Sequence, residues 1–163
     1  MTGAIKAAVG VSASHLLSVA SGEATFKLFE MAFLGKVYTL VKQENFDAWL
    51  KASGVPDDRI AKIIAEKPHQ KITKNGDNYV ITQSSGQGDK DTTFKSGVEF
   101  DDTIGDDGTP IKTTYTVDGN VVTQVIKSPI GTATFKREFN GNDLVVTITS
   151  DKYDGVAKRY YKA

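Results

Sequence analysis

Two arginines and a tyrosine near the C-terminus are the residues whose spacing asks for chemistry. At the end of the chain Ala157, Arg159 and Tyr161 fall on one face of an extended strand, and Lys158, Tyr160 and Lys162 on the other. The lysines belong in water, so the arginine should face inward. From Thr132 to Phe139 the same alternation sets Phe135, Arg137 and Phe139 against Lys136 and Glu138. A guanidinium turned into an apolar interior is costly unless an anion meets it. Either strand alone could be an exposed edge with two polar faces. Two inward arginines in one meander suit the binding of a carboxylate.

Other chemistries lack their residues. There is no cysteine, which removes thiolates, disulfides and sulfur-ligated metals. Histidine occurs only as His15 and His69, too few for a histidine metal site, and His69 beside Pro68 reads as a solvated helix-end residue. No G-x-S-x-G elbow is present, and Gly86-x-Gly88 lacks the third glycine of a dinucleotide loop. Asp101-Asp102 with Asp106-Asp107-Gly108 misses calcium-loop spacing at Thr103 and Gly105 and reads as a solvated hairpin turn. No catalytic residue, metal or cofactor is therefore expected. Lys and Arg total 20 against 20 Asp and Glu, with no basic stripe for phosphates, which argues against nucleic acid. No apolar run reaches the length of a membrane span. The absence of both cysteine and N-x-S/T acceptors fits a reducing cytosol.

The elements that must position the arginines are mostly strands. Asn75-Gly76, Asp107-Gly108, Asp118-Gly119, Asn140-Gly141 and Asp154-Gly155 are hairpin-turn dipeptides, and Ser128-Pro129-Ile130-Gly131 supplies another turn. Between them lie Val-, Ile-, Thr-, Phe- and Tyr-rich segments such as Thr113 to Val117, Val121 to Ile126 and Leu144 to Thr149. Successive hairpins without a crossover helix imply an up-and-down antiparallel sheet, and a sheet of many strands tends to close into a barrel. Ahead of it, Val37 to Val41 suits a strand. Two short helices follow. Asn45 is the expected N-cap of the first, with Phe46, Trp49 and Leu50 behind it and Gly54 at its end. Pro56 and Asp57-Asp58 open the second, with Ile60, Ile63 and Ile64 as its apolar stripe and Pro68 beyond it.

Residues 1–30 stand apart, small and Ala/Ser/Gly-rich, with Glu23 the first acid. A secretory signal, an organelle transit peptide and a disordered or weakly helical extension ahead of Met31 all remain open for this segment. The expected division is 1–30 as extension and 31–163 as barrel.

The run Lys36 to Leu50 (KVYTLVKQENFDAWL) resembles the N-terminal signature of the cytosolic fatty-acid-binding and retinoid-binding protein family. Gly35-Lys36, Asn45-Phe46-Asp47 and Lys67-Pro68 all fall where that family has them, and the resemblance runs from about Met31 to Ala163. Gly119 to Val125 and Arg159 to Ala163 resemble insect midgut fatty-acid-binding proteins in particular. The resemblance implies a mainly β fold, a ten-stranded barrel capped by a helix-turn-helix lid. It also implies that Arg137, Arg159 and Tyr161 hold a ligand carboxylate. Retinol carriers of the family have glutamines at the arginine positions, so the match is to carriers of acids. Where many relatives place a phenylalanine at the turn between the third and fourth strands, this chain reads Ser84-Ser85-Gly86-Gln87-Gly88.

The expected function is a non-enzymatic, cytoplasmic carrier of a fatty acid or similar apolar carboxylate, with Phe46, Leu50 and Phe135 as candidate tail contacts. A monomer is expected, with the lid helices as the place for any transient membrane contact. A secreted carrier of lipid or pigment (retinoid or carotenoid) is the alternative if residues 1–30 are a signal. An isomerase or hydrolase using Arg137 and Tyr161 is a third.

Overall fold

Alternation along the strands decides what lines the wall. In Asp143–Ser150, Leu144, Val146 and Ile148 are buried on one side while Val145 and Thr147 are half-exposed on the other. In Val121–Ser128, Val122, Gln124 and Ile126 do the same. Each such aliphatic contributes about 1.5–3 kcal/mol relative to exposure.

The computed structural model describes residues 31–163 except 86, 87 and 106. The elements are β1 (Tyr38–Glu44), α1 (Phe46–Ala52), α2 (Asp57–Ala65), β2 (His69–Asn75), β3 (Asn78–Ser85), β4 (Gly88–Lys95), β5 (Glu99–Ile104), β6 (Thr109–Asp118), β7 (Val121–Ser128), β8 (Gly131–Asn140), β9 (Asp143–Ser150) and β10 (Tyr153–Lys162). All lie in a compact unit from Phe33 to Ala163. The three readings of residues 1–30 fall outside the described residues, as do Gly86 and Gln87 of the turn after β3.

Every strand pairs antiparallel with its neighbours in the order β4-β3-β2-β1-β10-β9-β8-β7-β6-β5, so the first strand lies against the last. This is the expected ten-stranded barrel, and it is nearly closed. Among the described residues no ladder forms between β4 and β5. Side chains bridge that seam instead: Lys90 Nζ donates to Asp102 Oδ1 and to the Thr103 carbonyl, each at 3.0 Å. Inside it Phe94 stacks on Tyr115 at 4.4 Å, and Phe100 meets Tyr115 at 6.3 Å.

One local expectation is qualified and two are corrected. Asn45 occupies the N-cap position of α1, as expected, but its side chain makes no capping hydrogen bond. It sits in the left-handed region (φ 57°) and its side-chain amide donates to the Val156 carbonyl at 3.1 Å, fastening the start of the lid to β10. Asp154-Gly155 is not a turn but part of β10, where the register with β9 shifts between Tyr153 and Ala157, a bulge that lets Ala157 re-enter the inward set. Asp101 and Asp102 lie in β5 rather than in a turn, the first paired with Lys112 at 2.9 Å.

The helices are 7 and 9 residues long, too short to hold without tertiary contact. Phe46, Trp49 and Leu50 bury the inner face of α1, and Ile60 that of α2. Gln43 fixes the far end of α2, its side-chain amide donating to the Ile64 carbonyl at 3.2 Å.

Candidate functional site

The pairing registers place both arginines on one rung. Arg137 of β8 and Arg159 of β10 each stand opposite Val146 of β9, and Gln43 of β1 stands opposite Arg159 on the other side. One rung toward the C-terminal end of β10, Tyr161, Leu144 and Phe139 line up the same way. Arg137, Val146, Arg159, Tyr161 and Phe135 all border one cavity of about 170 Å³.

Arg137 is only 4% exposed. Its Nε donates to Gln70 Oε1 at 2.9 Å and its Nη2 to Gln124 Oε1 at 3.0 Å. Gln124 is held in turn by its amide donating to Thr113 Oγ1 at 3.3 Å. Nη1 has no hydrogen-bond partner among the described residues. Both partners are neutral amides, so the buried positive charge is solvated by dipoles without being neutralised. Burial pushes this guanidinium below the usual arginine range, while Tyr115 and Tyr161 pull it upward.

Arg159 is half-buried. Its Nε donates to Gln43 Oε1 at 3.2 Å, and its Cζ lies 4.1 Å from the ring centroid of Phe46 and 5.8 Å from that of Tyr161. Burial lowers its pKa too, against the raising influence of Tyr161 and Glu66. Gln43 therefore touches two things at once, Arg159 and the last turn of α2. Phe46 continues the connection into the lid by stacking on Trp49 at 5.7 Å, and Trp49 meets Phe135 of the wall edge-on at 5.5 Å.

The sequence-derived set is thus largely brought together. Arg137, Arg159, Tyr161 and Phe135 border the cavity, and Phe46 packs on Arg159. Leu50 is buried on α1 and is not among the residues bordering the cavity. The glutamines Gln43, Gln70 and Gln124 were not legible as site residues. Their signal was an amide on an inward-facing strand position, which alternation marks only once strand boundaries are known. His69 is not simply solvated. Its backbone N–H donates to Ser84 Oγ at 2.7 Å, its Nε2 lies 3.5 Å from Asp89 Oδ1, and it borders the cavity.

A nearly closed ten-stranded antiparallel barrel, two helices after its first strand and an interior cavity bordered by cationic donors define the class of fold. Comparison with known proteins identifies the group. The profile of the Lipocalin / cytosolic fatty-acid binding protein family matches residues 34–158. "Fatty acid-binding protein 2" of Manduca sexta is 60% identical over 133 residues, 82% of this chain and 100% of that one. The crystal structure of a fatty-acid-binding protein isolated from Manduca sexta superposes with a TM-score of 0.76 at 61% identity, covering 80% of this chain and 99% of that one. A Schistosoma mansoni fatty acid binding protein in complex with arachidonic acid superposes with a TM-score of 0.74 at 29% identity, covering 82% and 97%. The chain belongs to the lipocalin / cytosolic fatty-acid binding protein family.

Proposed function

We propose that this protein is a non-enzymatic carrier of a long-chain fatty acid, with the carboxylate held by Arg159, Tyr161 and Arg137 and the tail lying in the barrel. The observation that supports it most is the single rung: two guanidiniums flank Val146 and border the same cavity, and the hydrogen bonds recorded for each go to neutral glutamine oxygens. An anionic headgroup would supply the missing countercharge. In this reading the lipid-binding unit runs from 31 to 163, it works as a monomer in the cytoplasm, and the lid helices make any passing contact with membranes.

Magnitudes agree with a carrier. A tail of about sixteen carbons offers on the order of 12 kcal/mol of gross burial at about 0.8 kcal/mol per methylene. Immobilising the chain and the ligand removes several of these. A dissociation constant from roughly micromolar to ten nanomolar follows. The tail supplies most of the free energy; the anchor selects acids and fixes orientation.

The test compares palmitic acid with its methyl ester by isothermal calorimetry, in the wild type and in Arg159→Ala. The acid should win by about 10- to 100-fold in the wild type, the value of one or two charge-assisted hydrogen bonds, and most of that lead should vanish in the variant. Equal binding of acid and ester by the wild type would reject the carboxylate anchor. Native mass spectrometry of protein purified from its source, finding a free fatty acid bound, would support the carrier; a bound carotenoid would favour a pigment carrier instead.

A further inference from the structure

We infer that Glu66 sets the charge of the ligand the cavity accepts, admitting a singly charged headgroup and discriminating against a doubly charged one. The inference rests on the carboxylate-anchor reading above and extends it from acids in general to monoanions.

Glu66 follows directly on α2 and borders the same cavity as Arg137 and Arg159. Among the described residues lining that cavity it is the one carboxylate. Burial lowers the Arg159 pKa, and against it Tyr161 and then the charge of Glu66 pull it upward. The end of α2 reinforces it, because the partial negative charge of a helix C-terminus points the same way. His69, also on the border, has Asp89 at 3.5 Å to meet any charge it carries.

The ledger is simple. Two arginines and one glutamate leave one unit of positive charge. A single carboxylate headgroup brings the cavity to neutrality, whereas a phosphate dianion leaves it one unit negative in a low-dielectric interior, where such an excess is costly. Glu66 also repels any anion that enters, and repels a dianion twice as strongly. This predicts a quantitative relation. If removing the charge tightens a monoanion by some factor, it should tighten a dianion by about the square of that factor.

The experiment uses the full chain and three probes sharing one tail: tetradecanoate, tetradecyl phosphate and methyl tetradecanoate, at pH 8, where the phosphate is dianionic. Glu66→Gln should bind tetradecanoate about 3- to 10-fold more tightly and tetradecyl phosphate roughly 10- to 100-fold more tightly, with the ester unmoved. Glu66→Asp, which keeps the charge and shortens the side chain, should retain the wild-type ratio of phosphate to carboxylate. A ratio unchanged by Glu66→Gln overturns the inference, as does an ester that tightens along with the anions, since that would mean a widened mouth. Failure of the anchor itself is separately visible, because the wild type would then bind acid and ester alike.

Discussion

Arg137 and Arg159 stand on one rung of the barrel with only Val146 of β9 between them. Two strand spacings put their backbones about 10 Å apart. At an effective dielectric near 20, two like charges at that distance repel by about 1–2 kcal/mol. Glutamine oxygens accept from both guanidiniums, Gln70 and Gln124 from Arg137 and Gln43 from Arg159, and an anion received between them would turn repulsion into attraction.

Arg137→Met tests whether that charge serves binding or scaffold. Methionine keeps an unbranched stem and removes a buried charge whose recorded partners are neutral. The ligand-free protein should gain about 1 kcal/mol in urea unfolding, while fatty-acid affinity falls about 10- to 100-fold. A loss of more than about 2 kcal/mol in the ligand-free protein would instead assign Arg137 to holding Gln70 and Gln124 in place.

Phe46 holds the Arg159 fork in position from the lid, 4.1 Å away. Phe46→Leu keeps most of the apolar volume and deletes the ring's attraction for the cation, worth about 1–2 kcal/mol in a partly desolvated setting. Ligand release should accelerate about 5- to 30-fold. Trp49, the single tryptophan, stacks on Phe46 and reports the change by stopped-flow fluorescence. An unaltered release rate would remove Phe46 from the anchor.

Tyr115 gives a pH dependence. Burial chiefly raises its pKa above 10.0, with Arg137 lowering it and Asp102 raising it further. Burial thus favours the neutral phenol over the phenolate. Its contribution to stability is complete below the unfolded value of 10.0 and is lost as the pH climbs through the higher folded value. Wild type should lose more stability than Tyr115→Phe between pH 9 and 11, measured by denaturant unfolding. Parallel losses would place the effect elsewhere, for instance at Tyr38, whose pKa is also raised by burial and by Asp143.

Gly131 opens β8 at φ +141°, a conformation that side chains rarely adopt, and a methyl group there would strike the Asp151 carboxylate. That carboxylate accepts a hydrogen bond from Thr132 N–H at 3.1 Å. Gly131→Ala should cost about 1–3 kcal/mol of stability by thermal unfolding, with ligand affinity unchanged in the protein that folds. A change below a few tenths would show that Asp151 swings aside freely.

The sequence made some of this legible and hid the rest for physical reasons. Arg137 and Arg159 were readable because their flanking lysines and glutamate fix which face is wet. Gln70 and Gln124 were not, since an amide fits either face and Gln70 lies 67 residues from the arginine it serves. Asn45 takes the N-cap position the sequence indicates, but a residue suited to capping is equally suited to the left-handed region, and β10 claims its amide in place of a capping bond. Asp154-Gly155 misled because the same dipeptide that makes a turn also makes a bulge. Gly88–Lys95 gave no strand signal at all: it is mostly exposed and polar, with Phe94 its one buried residue, and its backbone ladder is with β3.

That polarity has a consequence for how molecules meet one another. The seam leaves two strand edges unpaired, the usual starting point for sheets that grow from one molecule into the next. Here one edge carries Asp89, Lys90 and Asp91, and the other Glu99, Asp101 and Asp102. An incoming strand would have to strip water from those charges and displace the Lys90 bridge before its first backbone bond could form. The charges along the two edges thus oppose the addition of a strand from a neighbouring molecule, although the barrel is incompletely closed.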